Sequence, residues 1–186
     1  MNKQGIILLL DTVHPVCTIT LLYNDGNFTE YLNPVDTRNN FDTVLNDKVL
    51  ELLKDSSLSF SDIDAYAVVT GAGSWTGARV GVATVKGWGM VHPKPVIELN
   101  SLDVDTKAKE GIDVALHSGG KKYFVRRMSE YSYETLESTQ DFLIIDNTNP
   151  SYRQGLIQST RQKFKDKDFI KPEDLKPFYV TEFRPS

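Results

Sequence analysis

Cysteine occurs once in these 186 residues, at Cys17, which excludes an internal disulfide framework. Three histidines beside that one cysteine make a poor zinc set, and no His-Glu-x-x-His segment is present, so no metal site is expected. Long apolar runs are missing as well. Ile6 to Leu10 is the longest aliphatic stretch and Asp11 ends it, too short for a membrane span or a signal-peptide core, so the expected compartment is the cytoplasm. Nor is there an excess of positive charge. Lys and Arg number 21 against 25 Asp and Glu, a formal net charge of −4. A chain whose surface neutralises a polyanion is normally basic, so a primary nucleic-acid-binding module is disfavoured. What is present is ordinary: 40% hydrophobic and 25% charged residues, enough chain to bury roughly 70% of its unfolded surface.

The patterning falls into two parts. Gly5 to Leu10 is continuously apolar, as in a strand covered on both faces. Cys17, Ile19, Leu21 and Tyr23 alternate with Thr18, Thr20 and Leu22, Asn24 to Asn27 supply a hairpin turn, and Phe28 to Leu32 return as a third strand. Phe41, Leu45, Val49, Leu52 and Leu53 then recur at helical spacing. A strand over Ile63 to Thr70, a helix over Trp75 to Met90 stopped by His92-Pro93, and a strand over Pro95 to Leu99 complete this part. Three antiparallel strands followed by crossover units are the order of a ribonuclease-H-like half, the unit of actin-like (ASKHA) α/β folds. The remainder reads as a hairpin (Ile112 to Leu116, a turn at Ser118 to Lys121, Tyr123 to Met128), a strand over Phe142 to Asp146, and an amphipathic helix marked by Leu156, Ile157, Thr160 and Phe164. The expected organisation is a first half over residues 1–104 and a second, abbreviated half with a C-terminal tail over 105–186.

The segment most able to carry chemistry is Gly71-Ala-Gly-Ser-Trp-Thr-Gly-Ala-Arg-Val-Gly-Val-Ala-Thr-Val-Lys-Gly-Trp-Gly89, where a strand hands over to a helix. Backbone amides at such a junction can cradle an anion. The spacing is not that of a dinucleotide fingerprint, because Thr76 holds its sixth place, and Lys86 is followed by Gly87 rather than by the Ser or Thr of a Walker loop. Close packing is the stronger reading: Gly77 and Gly81 lie four apart on one helical face, and glycine inside a helix costs about 1 kcal/mol relative to alanine. Asp11-Thr12 ends the first strand where actin-like phosphotransferases keep an acidic residue near metal and phosphate, although the following Val13 to Val16 lack the glycine of a phosphate hairpin. A vestigial phosphate site would therefore comprise Asp11, Thr12, Gly71, Gly73 and Ser74. No serine or cysteine is identifiably paired with His14, His92 or His117, which leaves a peptidase without a nucleophile–base pair. The basic–aromatic run Lys121 to Arg127 is read as a solvated hairpin, its side chains split between two faces.

The stretch from Gly71 to Gly89 resembles the TsaB (YeaZ) family, whose pattern is Gly-Pro-Gly-Ser-Phe-Thr-Gly-Leu-Arg-Ile-Gly followed by Ala-Thr-Ala-Lys-Gly. Here Ala72 stands for the proline, Trp75 for the phenylalanine and Val80 for the isoleucine. Asp11-Thr12, Leu58 to Asp64, Ser101-Leu102 and the tail Pro172 to Val180 are similar to further segments of that family. The chain departs from it at Phe41-Asp42-Thr43, where members often carry His-Ser-Glu, at His117 to Lys122, where they carry Asp-Ala-Arg-Arg-Gly-Glu, and in its shorter second half.

The resemblance implies a cytoplasmic, non-catalytic partner subunit that binds and activates a TsaD-like subunit, together with a TsaE-like ATPase, in making N6-threonylcarbamoyladenosine at A37 of tRNA. It implies no cofactor of the chain's own, with ATP and metal on the partner subunits, contact with tRNA only through the complex, and a homodimer when alone. The interface it implies lies on the first two helices, at Phe41, Val44 and Lys48 of the first and Gly77, Arg79, Gly81, Val82, Lys86 and Met90 of the second. An actin-like ATPase or phosphotransferase acting on a small molecule is the alternative.

Overall fold

The computed structural model describes residues 5–34, 41–106, 110–119, 122–127, 129, 132–138 and 141–180. Strands β1 (Ile7–Asp11), β2 (Val16–Leu22) and β3 (Phe28–Pro34) form the antiparallel opening, followed by α1 (Phe41–Asp55), β4 (Ala65–Gly71), α2 (Trp75–Val91) and β5 (Val96–Asn100). All five β1 residues are buried, which the unbroken apolar run requires of a central strand. The first sheet has the order β3-β2-β1-β4-β5, with β4 parallel to both β1 and β5.

A four-residue helix α3 (Ser101–Val104) leads to the second sheet: β6 (Val114–Gly119), β7 (Lys122–Arg127), β8 (Ser132–Leu136) and β9 (Leu143–Ile144), in the order β8-β7-β6-β9. Its four strands repeat the order of the first four positions of the five-stranded sheet. Helix α4 (Pro150–Asp166) follows, with the Asn149 side chain accepting from Ser151 N at 3.0 Å, Pro150 in the first turn, and Lys167 in the left-handed region at φ +56° to end it.

Two differences from the sequence reading stand out. β8 had no counterpart in it, because Ser-Tyr-Glu-Thr-Leu is half-buried at every position and carries no clean alternation. β9 is two residues long rather than the five expected, since from Ile145 the chain turns at Asp146 to cap α4.

The core has two layers. On one face of the first sheet, Leu8, Leu10, Ile19, Tyr66 and Val68 pack against Leu45, Val49 and Leu53 of α1 and Val82, Val85 and Trp88 of α2, with Leu175 of the tail. On the other face Ile7, Leu9, Ala67, Val69 and Leu99 join Val114, Leu116 and Phe124 of the second sheet and Tyr152 and Leu156 of α4. α4 thus follows the second sheet in sequence and packs on the first in space. Among the described residues no helix is long and apolar enough to cross a membrane.

Candidate functional site

The end of β1 builds a fully buried polar seam beneath α4. Asp11 Oδ1 accepts from Val13 N at 3.1 Å, and its two carboxylate oxygens lie 3.0 and 2.8 Å from Nδ1 of His14, which donates to them. Tyr152 of α4 donates its hydroxyl to Asp11 Oδ2 at 3.3 Å, and its ring meets the His14 ring edge-on at 4.6 Å between centroids. Burial, then the Asp11 charge, pushes the Tyr152 phenol well above its ordinary value. The same two causes raise the Cys17 thiol, which keeps it an uncharged core residue. Asn147 donates from Nδ2 to Val16 O, and Ser151 donates to the buried Asp105 at 2.9 Å. Beside them, burial works to raise the Asp146 carboxyl, but hydrogen bonds from Thr148 and Asn149, with the nearby His14, carry it below its ordinary value.

The glycine-rich turn closes onto this seam. Ser74 N donates to Val13 O at 2.8 Å, Gly77 N to Ser74 Oγ at 3.1 Å, and Thr12 Oγ1 to Gly77 O at 2.7 Å. Gly73 has φ +144°, and a Cβ there would stand 2.6 Å from Val13 O. A Cβ on Gly77 would run into the Thr12 carbonyl, and one on Gly81 into the Thr12 hydroxyl. These glycines bring the first turns of α2 against the end of β1, so Thr12, Gly73 and Ser74 lie together beside Asp11, whereas Gly71 lies against the Phe178 carbonyl of the tail. The Ser74 and Gly77 amides that a cradle would aim at an anion are used within the chain.

The expected interface residues are divided between three environments. Gly77, Gly81 and Val82 are buried, Val82 in the core layer with α1. Arg79 donates from Nε to Tyr179 OH at 3.1 Å, and Lys86 from Nζ to Glu173 O at 3.1 Å, so a C-terminal strap flanks them. Met90 stands open at 83% exposure, with Val91 at 72%. The reason is angular: at about 100° per residue Val82 lies about 60° to the core side of Arg79. The open ridge of α2 runs through Thr76, Arg79, Ala83, Gly87 and Met90 and leaves Val82 beneath it. On α1, Lys48 pairs with Glu51 at 2.5 Å and lies over the Tyr31 ring, and Leu50 is 54% exposed. Asn46 accepts from Trp88 Nε1 at 3.1 Å, which joins the two helices. Phe41 and Val44 belong to α1, and their side chains lie outside the described residues.

The strap itself escaped the sequence reading. Leu175 is fully buried, Tyr179 stacks on Trp75 at 4.6 Å, and Phe178 N donates to Thr70 O at 2.9 Å. The signal available for it was the run of apolar and aromatic residues among the prolines of the tail.

A family model described as TsaD, tRNA N6-adenosine threonylcarbamoyltransferase, matches residues 32–167. The chain is 33% identical over 102 residues to the tRNA threonylcarbamoyladenosine biosynthesis protein TsaB of Haemophilus influenzae, covering 55% of this chain and 42% of that protein. With TsaB of Escherichia coli it shares 31% over 96 residues, covering 52% and 40%. The match therefore spans less than half the length of these curated relatives. Among solved structures, YeaZ from Pseudomonas aeruginosa superposes with a TM-score of 0.74 at 16% identity, over 95% of this chain and 100% of that one. The fold is the actin-like α/β fold that the strand order predicts.

Proposed function

Because the chain belongs to the TsaD family of tRNA N6-adenosine threonylcarbamoyltransferases, among its TsaB (YeaZ) members, we propose that it serves tRNA threonylcarbamoyladenosine biosynthesis as a partner subunit rather than as the transferase. The observation that carries this reading is the state of Asp11. In the alternative, an actin-like phosphotransferase, this carboxylate would face a metal and a phosphate. Here it is wholly buried and already accepts from Val13 N, His14 and Tyr152.

What the chain offers outward is the paired surface of α1 and α2. Small side chains on the α2 ridge (Thr76, Ala83, Gly87) permit close approach of another helix, and Leu50, Met90 and Val91 supply apolar area. On this reading Lys48, Met90, Arg79 and Lys86 lie at or beside the contact, Phe41 and Val44 extend it along α1, and the buried Gly77, Gly81 and Val82 hold α2 in place beneath it. The partner is a TsaD-like subunit, assisted by a TsaE-like ATPase. ATP and metal reside there, tRNA is met only in the assembled complex, and the same surface pairs two copies when the chain is alone, in the cytoplasm.

The test is light scattering after size-exclusion chromatography, of this chain alone and mixed with the TsaD-like subunit of the same source, with tRNA modification assayed in parallel. A dimer that converts to a heterocomplex, and modification that requires both chains, is the expected result. ATP turnover by the chain alone, abolished by Asp11→Ala, with no association, would transfer the assignment to the phosphotransferase.

A further inference from the structure

The first sheet ends at β5, and among the described residues that edge is covered at its beginning. Val96 N donates to Ile170 O at 3.3 Å and Ile170 N to Val96 O at 2.8 Å, one antiparallel bridge between β5 and the segment after α4. In that register Glu98 would face Asp168 two residues on. The chain has already turned away there: Lys167 takes φ +56° and Asp168 N donates to Lys163 O at 2.9 Å, closing the end of α4. Alternation along a strand places the N–H and C=O of Glu98 on the same edge as those of Val96. Neither has a backbone partner among the described residues. A cavity of about 700 Å³ opens along this stretch, walled by Glu98, Leu99, Asp103, Lys163, Phe169 and Phe178 among others, within the size range of ligand sites, roughly 300–1,000 Å³.

The charges beside the cavity are unequal. Asp168 is paired with Lys163 at 2.6 Å, and Asp103 with Arg126. Among the described residues Glu98 accepts from Thr70 Oγ1, at 3.2 Å, and has no Lys or Arg paired with it. Among the described residues, then, a strand edge without a backbone partner lies beside a carboxylate without a counter-charge and two aromatic walls, and this arrangement suits one kind of occupant. A backbone in extended form would satisfy the edge, and a cationic side chain would meet the carboxylate.

We propose that the open edge of β5 at Glu98 is a docking groove for an extended peptide segment of a partner protein, added as a further strand and carrying a Lys or Arg against Glu98. The groove lies on strand β5, walled on one side by Phe178 of the strap, next to the Tyr179 that holds Arg79; no residue of the α2 ridge lines it.

The probe is a fluorescein-labelled pentapeptide, Val-Lys-Val-Lys-Val, titrated with the full chain by fluorescence anisotropy. Its controls are the glutamate counterpart and a backbone N-methylated form. Saturable binding is expected, about tenfold weaker or worse for each control peptide and for Glu98→Gln, a change that retains the bond from Thr70. Hydrogen exchange at the Glu98 amide should slow in the complex, a readout independent of how well the variant folds. Equal binding of all three peptides, an unchanged Glu98 amide, no binding at millimolar peptide, or full displacement by spermidine with no sensitivity to N-methylation would each overturn the proposal, the last in favour of a small-cation pocket.

Discussion

The two sheets share a strand order and differ in how they are held. In the first, β1 is buried along its whole length and both faces carry apolar layers, one made by α1 and α2 and one shared with the rest of the chain. In the second, β8 is half-buried throughout, both β9 residues are exposed, and charged contacts hold β7 to its surroundings, Arg126 to Asp103 of α3, and Arg127 to Glu134 of β8 and to Asp113 before β6. The helix that follows the second sheet lends its apolar side to the first. The lesson is that the second sheet is held by the apolar layer it shares with the first, where Val114, Leu116 and Phe124 meet Ile7, Leu9 and the Tyr152 of the seam, more than by a core of its own.

The sharpest way to break that dependence is to remove the seam. Tyr152→Ala should cost about 4 kcal/mol, as for other large buried aromatics, in chemical denaturation, whereas Tyr152→Phe, which deletes only the bond to Asp11, should cost about 1 kcal/mol. Equal effects would mean that packing contributes nothing beyond the hydroxyl.

Next come two glycines that let elements touch backbone to backbone. Gly77→Ala pushes a Cβ into Thr12 within the first half, and Gly155→Ala pushes one into the Val104 carbonyl, where α4 meets α3. Each should cost about 2–3 kcal/mol. Only Gly155→Ala should raise hydrogen exchange in β6 and β7 ahead of β1 and β4; the same exchange pattern in both variants would erase the distinction between the halves.

Two titrations sharpen the contrast with smaller effects. Burial pushes the Tyr66 phenol, in the first sheet, up to about 12. The stability this represents is complete below the unfolded value near 10 and is lost as pH rises through the folded one. Asp146, in the second half, is held below its ordinary value, so its contribution is present above the unfolded carboxylate value and fades as pH falls through the lowered folded value. Tyr66→Phe should flatten the alkaline limb of a stability–pH curve and Asp146→Asn the acid limb. A swap of those assignments would refute the reading.

The smallest effect expected on folding is that of Met90→Lys, within about 0.5 kcal/mol because the side chain is open to solvent. The same change should weaken association with the TsaD-like subunit in a pull-down titration by about tenfold, and unaltered association would move the interface off the α2 ridge.

Legibility followed the same division. The elements of the first half appear in the sequence with nearly their observed bounds because each carries a continuous apolar run or a clear period: Ile7 to Leu10, the alternation from Cys17, and the helical spacing after Leu45; the burial of Thr18 and Thr20 on the other face of β2 is what that alternation does not show. The second half was read less well for a physical reason. β8 buries no face cleanly, β9 is too short to show a period, and α4 starts at a capped Asn149–Pro150 rather than at its first apolar residue. At the candidate site, the glycine stretch and Asp11 were visible as residues worth attention. That His14 and Tyr152, 138 positions apart, close on the same carboxylate was not.

By itself the sequence determined the element order of the first half, the actin-like class, the apolar identity of the first sheet and the family to which the chain belongs, because these depend on local period and on a motif contiguous in the chain. The tertiary structure alone decided which face of α2 is open, that the tail straps across Trp75 and Arg79, that the end of β1 is sealed by α4, and that Ile170 meets the β5 edge at Val96 and then turns away from it. Each of these depends on where distant segments stop or turn, at Lys167 or at Gly73, and such stops bring together groups whose separation along the chain carries no period to read.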